Sequence, residues 1–441
     1  MKQNTGKATG PVSVSLFGMM TSLSAALDLI NPALNDHHKL TCYIACSIAG
    51  ELDMPENEYN DMFMAAVLHD IGAIAVADRL KLLEYEEKSP HLHAELGKIL
   101  VSGFPPFAGF APIIQFHHVD WNDGEGQQFQ GIDVPEASHI IHLADRVAVL
   151  IDKSKPVFSQ VEEIRQIISD SEGSRFVPAF VEAFMTVSRK EAFWLDMYFA
   201  PLDKKLNDLS RLPEIKLDLD DLAELSRFFA IIIDTRSSFT AFHTSGVAAC
   251  SRELAELCGM SPTDCQKVLI AGYLHDLGKL AVPNEILEKN GKLNLEEWRV
   301  IQAHTYHTQR ILESIEGIEE IADWASHHHE SLSGDGYPFR LAEEELPLGS
   351  RIVMVADIFT ALTEDRPYRK GMKRDEIEKI FEELLAGNKV DAGIVNILHT
   401  NYARVDRVCK EAQSKSSVNV SEFWEKSQQS VELIDSEAST G

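Results

Sequence analysis

The segment YLHDLGKLAV at residues 273–282 decides the fold, because VLHDIGAIAV at residues 67–76 is a near copy of it. A histidine stands 32 residues before the histidine of each copy, His37 in the first half of the chain and His243 in the second. A second pair of similar segments, LADRVAVL and VADIFTAL, follows in the same order. Similar segments that return in order at matching intervals indicate an internal duplication. We therefore expect two related domains.

The sequence between these segments has a helical pattern. In LEEWRVIQAHTYHTQRILESI, at residues 295–315, one stripe recurs at the spacing of an α-helix. The stripe consists of Trp298, Ile301, Thr305, Thr308, Ile311 and Ile315. Alternating strand patterns are scarce, and turn signals such as SGDGYP separate long helical segments. These patterns predict an all-α protein.

Composition suggests where the domains begin and end. The segment DKKLNDLSRLPEIKLDLDDL is polar and is interrupted by Pro213. We predict a first domain over residues 1–205, a linker over 206–222 and a second domain over 223–410. Residues 411–441 are rich in Ser, Gln and Glu, which predicts a polar, mobile tail with a short helix around SEFWEK.

The charge and the cysteines restrict the class of function. The chain has 441 residues and a net charge of −28, which argues against a protein that binds DNA or RNA polymers. An anionic substrate would need a local cluster of Lys and Arg. The six cysteines form no CxxC pair, as expected for reduced cytosolic thiols.

The uncharged stretch from Pro11 to Leu27 resembles the apolar part of a signal peptide. It is rich in Ser and Thr, however, and it leads directly into the histidines of the first repeat. No other stretch approaches the roughly 20 apolar residues that span a bilayer. We predict a cytoplasmic protein with no membrane partner.

Histidines and aspartates occupy corresponding positions of the two repeats. The second repeat carries His243, His275, Asp276, His304, His328, His329 and Asp357, and the first carries His37, His69, Asp70, His93, His117, His118 and Asp145. In the first repeat His38 is an alternative to His37. Imidazole and carboxylate donors without thiolate suit Fe, Mn, Zn or Co, and an aspartate next to a histidine can bridge two ions.

Other histidines are expected to have ordinary structural roles. His327 is set aside because the interval from His304 and the following Glu330 favour the next two histidines. The remaining ones are outside the repeated pattern: His91, His139, His142, His307 and His399.

The motifs HT…LHDLGK…H…HHESLSGDGYP…AD…RPYR resemble the HD-GYP family of bacterial cyclic-dinucleotide phosphodiesterases, a branch of the HD superfamily. The resemblance covers residues 236–400. It implies an all-helical domain, which the internal duplication extends to two tandem HD-type helical domains, and a metal-dependent hydrolysis of cyclic di-GMP or 3′,3′-cyclic GMP-AMP to a linear 5′-phosphorylated dinucleotide. It also implies two divalent ions in the second domain, with Fe or Mn favoured and Zn, Co or Ni compatible with the donors.

The resemblance assigns roles to residues of the second repeat. The seven His and Asp positions match the metal ligands, Asp276 bridges the ions, and Lys279 faces the scissile phosphate, so Asp276 and Lys279 are the predicted catalytic residues. The predicted substrate-binding residues are Lys279, Gly334, Tyr337, Pro338, Arg366 and Arg369.

Three positions depart from the family pattern. Ser333 stands where the family has an aspartate, and Thr360 stands where it has a second aspartate after the late ligand. Some members bind a third metal through a glutamate four residues before the first histidine, where this chain has Phe239. A two-metal site is therefore the expectation.

The first repeat keeps the ligand positions but not the substrate contacts. Ala73 replaces the lysine, no glutamate follows the histidine pair in HHVDWNDGEG, and RPYR has no counterpart. One interpretation is a degenerate regulatory domain, with or without bound metal. The alternative is an active HD domain with another phosphate substrate, such as the linear product.

Two rival functions remain for the whole chain at this point. One is a nucleotidase or other phosphohydrolase of the HD superfamily with a monomeric substrate. The other is a non-catalytic cyclic-dinucleotide sensor, which the departures at Ser333 and Thr360 leave open. The motifs do not distinguish guanine from adenine, and they leave the oligomeric state open, a homodimer included.

Overall fold

The computed structural model describes residues 14–28, 36–75, 90–213, 215–235, 242–289, 291–365, 370–417 and 425. Within these residues the chain is helical apart from loops and four two-residue strands. The strands are β1 (Val14–Ser15), β2 (Gln128–Phe129), β3 (Ile132–Asp133) and β4 (Lys216–Leu217). They form two separate antiparallel pairs, β1 with β4 and β2 with β3. The all-α prediction is confirmed.

The described residues form two compact units. The N-terminal unit contains the described residues between 23 and 213, and the C-terminal unit contains residues 14–22 with those between 215 and 417. Residues 14–22 thus belong to the C-terminal unit, whereas the sequence predicted a first domain that begins at residue 1. The reason is the pairing of β1 with β4, because strands far apart in sequence leave no local signal of their contact.

The N-terminal unit is built from short helices. After α1 (Leu16–Asp28), which crosses the division between the units, its helices are α2 (His37–Ala49), α3 (Glu56–Leu68), α4 (Pro90–Ser102), α5 (Ala111–Gln115), α6 (Glu136–Leu150), α7 (Val161–Asp170), α8 (Pro178–Val187), α9 (Glu191–Phe199) and α10 (Leu202–Leu209). Helix α2 packs against α3 and α6.

The C-terminal unit repeats this arrangement. Its helices are α11 (Leu219–Thr235), α12 (His243–Leu257), α13 (Pro262–Leu274), α14 (Asn284–Leu287), α15 (Leu295–Leu312), α16 (Glu319–Ser326), α17 (Leu348–Thr363), α18 (Arg374–Ala386) and α19 (Ala392–Thr400). Helix α12 packs against α13 and α17, as α2 packs against α3 and α6. The duplication inferred from the motifs is therefore visible as a repeated helical packing.

Local sequence explains several helix ends. Helix α13 begins after Ser261, whose hydroxyl accepts the backbone N–H of Asp264. Helix α15 begins with a capping box, in which Asn294 and Glu297 accept each other's backbone N–H groups. Such caps satisfy backbone donors that a helix end would otherwise leave without partners.

A short 3₁₀ turn follows the HD pair in each unit, Ile71–Ala75 in one and Leu277–Ala281 in the other. A Cβ on Gly278 would lie 1.9 Å from the carbonyl oxygen of His304, and a Cβ on Gly72 would lie 2.0 Å from that of His93. Only glycine permits this approach between the turn and the helix that carries the next histidine. The glycine of the repeated segment thus has a packing role in both units.

The segments predicted to be linker and tail are partly helical. Helix α10 continues to Leu209 and α11 begins at Leu219, so only residues 210–218 connect them. Residues 402–417 are helical, with Cys409 and Ser416 buried. The mobile tail predicted from residue 411 is therefore wrong for residues 411–417, because the helix that carries the buried Cys409 continues through them. Most of the helix predicted around SEFWEK lies outside the described residues.

Candidate metal centre and active site

The seven predicted ligands of the C-terminal unit come together. They lie at the start of α12 (His243), directly after α13 (His275 and Asp276), in α15 (His304), directly after α16 (His328 and His329) and in α17 (Asp357). Six of them are buried, and His329 keeps 31% of its side chain exposed. Five separate segments of the chain thus converge on one buried cluster that opens to solvent beside His329.

Asp276 lies at the middle of this cluster. One carboxylate oxygen, Oδ2, is 3.2 Å from Nε2 of His275. The other, Oδ1, is 3.5 Å from Nε2 of His304 and 4.0 Å from Nε2 of His328. Each oxygen therefore faces a different group of histidines, as a carboxylate must if it is to bridge two ions.

Asp357 closes the cluster from α17. Its Oδ1 is 2.9 Å from Nε2 of His243, and its Oδ2 is 3.9 Å from Nδ1 of His329. One group of donors that could hold an ion consists of His243, His275 and Asp276, and a second consists of His304, His328 and His329. The role of these side chains as ligands stays a prediction, but the positions meet its geometric requirement.

Backbone carbonyl groups orient three of the histidines. The Nδ1 atoms of His275, His304 and His328 lie 2.6 to 2.7 Å from the carbonyl oxygen three residues earlier in the chain. Because a carbonyl oxygen only accepts, Nδ1 carries the proton, and the lone pair is left on Nε2, which faces the cluster. Outer hydrogen bonds of this kind hold metal-binding imidazoles in position.

Some polar atoms at the centre have no hydrogen-bond partner among the described residues. They include Nε2 of His275 and Oδ1 of Asp276, both in nearly fully buried side chains. Burying such atoms without partners is unfavourable. The donor set of imidazoles and carboxylates suits a divalent first-row ion, so the residues present fit the metal that the motifs imply.

The side chains of the cluster differ in the direction of their pKa shifts. Burial lowers the pKa of His304 and of His329 to about 3, so both are neutral near pH 7. Burial alone would also lower the pKa of His243, but the neighbouring carboxylates of Asp357 and Glu364 raise it to about 10. Burial alone would raise the pKa of Asp276, but His275 and Lys279 hold it well below its usual range.

The predicted lysine lies next to Asp276. Nζ of Lys279 is 2.5 Å from Oδ2 of Asp276, and its side chain is about one-fifth exposed. The ammonium group is therefore next to the cluster and still reachable from solvent. This is the position in which a positive charge can assist a phosphate.

The GDGYP loop packs against the histidine pair. Glu330 accepts the backbone N–H groups of Phe339 at 2.7 Å and Leu341 at 2.9 Å. The backbone N–H of Tyr337 donates to the carbonyl oxygen of His329, and the Tyr337 ring lies on the His329 ring with centroids 5.0 Å apart. The glutamate after the histidine pair thus fixes the loop next to the cluster. Pro338 follows in a cis peptide bond, and Gly334 has a positive φ of 76°.

The two departures that the structure describes do not reach the metal cluster. Ser333 hydrogen-bonds to Ser331 and Asp335 at 2.7 and 2.6 Å, inside the loop. Thr360 is buried and pairs with the thiol of Cys409 at 3.6 Å. Neither substitution removes a group from the seven-residue cluster. Phe239, Arg366 and Arg369 lie outside the described residues.

The motif analysis missed two carboxylates near the cluster. Oε2 of Glu364 is 3.4 Å from Nδ1 of His243, which is the outer nitrogen of that ring. Asp234 is buried and accepts the hydroxyl of Thr244 at 2.6 Å, and burial raises its pKa well above the usual range. Asp28 is its counterpart nine residues before His37, so the repeat contained this signal.

The N-terminal unit contains a cluster of the same design. Oδ1 of Asp145 is 3.1 Å from Nε2 of His37 and 3.8 Å from Nε2 of His69, and Oδ2 of Asp70 is 3.6 and 3.3 Å from the same two atoms. Donors bound to one ion at roughly 2.0–2.2 Å are about 3 to 3.5 Å apart. The four atoms are thus close to ligand spacing. Of these atoms, those of His37, His69 and Asp145 have no hydrogen-bond partner among the described residues.

The other oxygen of Asp70 faces the remaining histidines of this unit. Oδ1 is 3.2 Å from Nε2 of His93 and 3.5 Å from Nε2 of His117, and Nε2 of His118 is 3.0 Å from that of His93. These four residues form one candidate metal-binding group. All seven predicted positions of the first repeat therefore converge as well.

The surroundings of the two clusters differ. Arg146 is buried and donates to Oδ2 of Asp145 from Nη2 at 2.6 Å and from Nε at 3.0 Å. His38, the alternative first ligand, places Nδ1 2.5 Å from Oδ1 of Asp28, while His37 faces the two aspartates of the cluster. His37 is therefore the cluster histidine, and a buried arginine takes the place of a lysine as the nearby cation.

Known proteins resemble both halves of the chain. The family model for the HD domain matches residues 21–174 and 227–393. A 3′3′-cGAMP-specific phosphodiesterase of Vibrio cholerae is 31% identical over 399 residues, which is 88% of this chain and 92% of that protein. A cyclic di-GMP phosphodiesterase of Pseudomonas aeruginosa is 37% identical over 145 residues, which is 33% of this chain and 35% of that protein.

A solved structure resembles nearly the whole fold. The crystal structure of a cyclic GMP-AMP-specific phosphodiesterase of Vibrio cholerae superposes with a TM-score of 0.62 at 25% identity, covering 92% of this chain and 98% of the other. Within the residues that the structure describes, no helix has the length and apolar character needed to cross a membrane.

Proposed function

This chain belongs to the HD domain family and is a phosphodiesterase, and we propose that its C-terminal unit hydrolyses a 3′,3′-cyclic dinucleotide to a linear 5′-phosphorylated dinucleotide. The observation that carries the proposal is the convergence of seven His and Asp side chains around Asp276, with the Lys279 ammonium 2.5 Å from the same carboxylate. The packing of the GYP loop on His329 supports the HD-GYP branch of the family.

The relatives support 3′,3′-cyclic GMP-AMP as the preferred substrate. The relative that matches 88% of this chain is named as specific for that nucleotide, as is the protein in the similar crystal structure. The cyclic di-GMP phosphodiesterase of Pseudomonas aeruginosa matches only 33% of the chain. The similarity to proteins named for cyclic GMP-AMP extends over both halves of this chain, and it therefore favours this mixed dinucleotide over cyclic di-GMP.

The C-terminal cluster would hold two divalent ions, with Fe or Mn favoured. One ion would lie between His243, His275, Asp276 and Asp357, and the other between Asp276 and the three histidines His304, His328 and His329. When bound, the ions would supply an acidified water and a positive charge for a phosphate oxygen.

The protein's own groups supply orientation and charge. Lys279 places an ammonium group where negative charge increases on the phosphate during hydrolysis. Glu330 holds the loop that bears Tyr337, so that this ring forms a wall beside His329. Arg366 and Arg369 are the further proposed phosphate contacts, because a guanidinium group matches the geometry of phosphate.

The N-terminal unit would bind a second pair of ions. Its cluster retains ligand spacing and atoms without hydrogen-bond partners, which supports bound metal over an empty scaffold. It has Ala73 at the lysine position and a buried Arg146 paired with Asp145. This altered charge supports a role other than hydrolysis of the cyclic substrate.

The test of the catalytic proposal is a product assay with metal-reconstituted full-length protein. With Mn or Fe present, we expect 3′,3′-cyclic GMP-AMP to be converted to a linear dinucleotide, detected by chromatography and mass spectrometry, and cyclic di-GMP to be converted more slowly. Asp276→Asn should abolish turnover, and Asp70→Asn should retain it. Absence of turnover of both nucleotides by metal-loaded wild-type protein would refute the proposal.

Metal analysis of the same variants tests the second centre. Wild-type protein should bind roughly two ions per unit, and Asp70→Asn and Asp276→Asn should each lose the ions of one unit. If Asp70→Asn binds as much metal as the wild type, the N-terminal unit does not hold a metal pair.

A further inference from the structure

Trp298 is a large aromatic residue that is exposed close to the metal cluster. It lies in α15, six residues before His304, and 44% of its surface is exposed. Its helix buries Thr305, Thr308 and Ile311 instead. Leaving an indole ring in water forgoes the favourable burial of a large apolar surface. A ligand that covers this ring would recover that free energy.

The indole ring connects to the cluster through two other rings. It meets Tyr337 in an edge-to-face contact, with centroids 6.4 Å apart and an interplanar angle of 79°. Tyr337 in turn lies 5.0 Å from the ring of His329, at an interplanar angle of 40°. We call His329, Tyr337 and Trp298 the aromatic rim. It extends towards solvent from His329, the one residue of the seven-residue cluster that is not buried.

The chemistry of the aromatic rim suits a nucleobase better than a phosphate. The rings of Trp298 and Tyr337 are uncharged, and Lys289 is paired at 2.6 Å with Glu297, the residue before Trp298. A cyclic dinucleotide with one phosphodiester at the cluster must place a flat purine next to it. Bases stack on exposed aromatic rings with little regard to base identity.

We propose that Trp298 is the stacking platform for one purine base of the substrate, an inference that rests on the proposed cyclic-dinucleotide hydrolysis. Trp298 acts in binding: it touches the base and is remote from the bond that breaks. An interaction made equally in the ground state and the transition state changes KM and leaves kcat nearly constant.

The size of the effect follows from stacking energies. Loss of one base–aromatic stack raises KM roughly 5- to 100-fold. Trp298→Phe keeps a flat ring and should retain most of the affinity. Trp298→Leu keeps apolar surface without a flat ring and should behave like Trp298→Ala.

The experiment compares these three variants with wild-type protein, all reconstituted with Mn. The matched control is Val300→Ala, on the same helix and 37% exposed. Each protein is assayed with 3′,3′-cyclic GMP-AMP and with methyl 4-nitrophenyl phosphate, a phosphodiester without a nucleobase. Binding is measured separately in metal-free protein, where stacking of a purine on Trp298 should quench its fluorescence.

We expect Trp298→Ala and Trp298→Leu to raise KM for the cyclic dinucleotide, while kcat and hydrolysis of the small ester change less than twofold. Trp298→Phe should abolish most of the quenching. The inference is overturned if KM is unchanged in Trp298→Ala, or if both substrates lose activity equally, which would indicate a structural role. If wild-type protein fails to hydrolyse the dinucleotide, the proposed function fails, and the quenching result alone decides whether Trp298 binds a base.

Discussion

Replacing Gly278 by alanine tests how the metal cluster is assembled. The new Cβ would lie 1.9 Å from the carbonyl oxygen of His304 and 2.7 Å from the backbone nitrogen of Thr308. Both are backbone atoms of α15, so no side chain can rotate away to relieve the contact. The 3₁₀ turn and the helix must move apart by roughly 1 Å to restore an ordinary separation.

That movement acts directly on the proposed ligands. Asp276 precedes the turn and His304 lies on α15, and their facing atoms are now 3.5 Å apart. A further 1 Å would make this pair too wide to share one ion. Misplacement by about 1 Å costs about 100-fold in activity, and overpacking costs about 1–3 kcal/mol of stability.

The assay measures kcat/KM on the cyclic dinucleotide, metal content and thermal unfolding. We expect Gly278→Ala to lose about 100-fold in kcat/KM and much of the C-terminal metal. Gly72→Ala creates the same clash with His93, at 2.0 Å, so it should lose N-terminal metal and keep hydrolysis. Gly18→Ala is the neutral control, because its nearest contact would be 3.7 Å away. Near-normal activity and metal content in Gly278→Ala would refute the reasoning.

Three further outcomes follow from the structure. Glu330→Gln places an amide donor against one of two loop N–H groups, so kcat/KM should fall about tenfold with metal content unchanged; a loss of metal would contradict a role confined to the loop. His243, whose pKa is about 10, must lose its proton to bind metal. In a His69→Ala variant, which removes a proposed N-terminal ligand, metal binding to the C-terminal unit should release about one proton at pH 7.5 and should tighten as the pH rises towards 10. Calorimetry in buffers of different ionisation enthalpy measures this release, which Glu364→Gln should reduce because it removes a group that raises this pKa; no release would contradict a protonated His243. Of the six free thiols only that of Cys258 is not buried, so a thiol reagent should modify native protein at Cys258 alone and unfolded protein at all six cysteines. Fast labelling of several thiols in native protein would contradict the described packing.

The convergence of the seven His and Asp residues was the part of the site that could be predicted from sequence. Predicted ligands such as His275 and Asp276 recur in both halves, so the duplication distinguished them from other histidines and aspartates. The helical fold was also predictable, because amphipathic spacing and caps are local properties. Asp234 and Asp28 recur at the same interval as well, but a single carboxylate outside the known motifs carries no chemical signal of its own.

Other features depended on contacts that the sequence does not encode locally. Trp298 belongs to the apolar stripe by its spacing, yet it lies in the first turn of α15, where 44% of its surface is exposed. Glu364 approaches His243 across more than one hundred residues of sequence. The pairing of Arg146 with Asp145 required the orientation of both side chains on α6, which adjacency in sequence does not give.

The placement of the cation separates the two clusters more clearly than their ligands do. In the C-terminal unit Lys279 approaches Asp276, which lies between both histidine groups, and its ammonium group stays reachable from solvent. In the N-terminal unit Arg146 is buried and donates from both Nε and Nη2 to Oδ2 of Asp145, whose other oxygen faces His37. A guanidinium group that is paired with a carboxylate stabilises the carboxylate as an anion, and its positive charge is then less available to a phosphate. We therefore expect the N-terminal cluster to retain ions without hydrolysing the cyclic substrate, and the C-terminal cluster to use its ions on a phosphodiester.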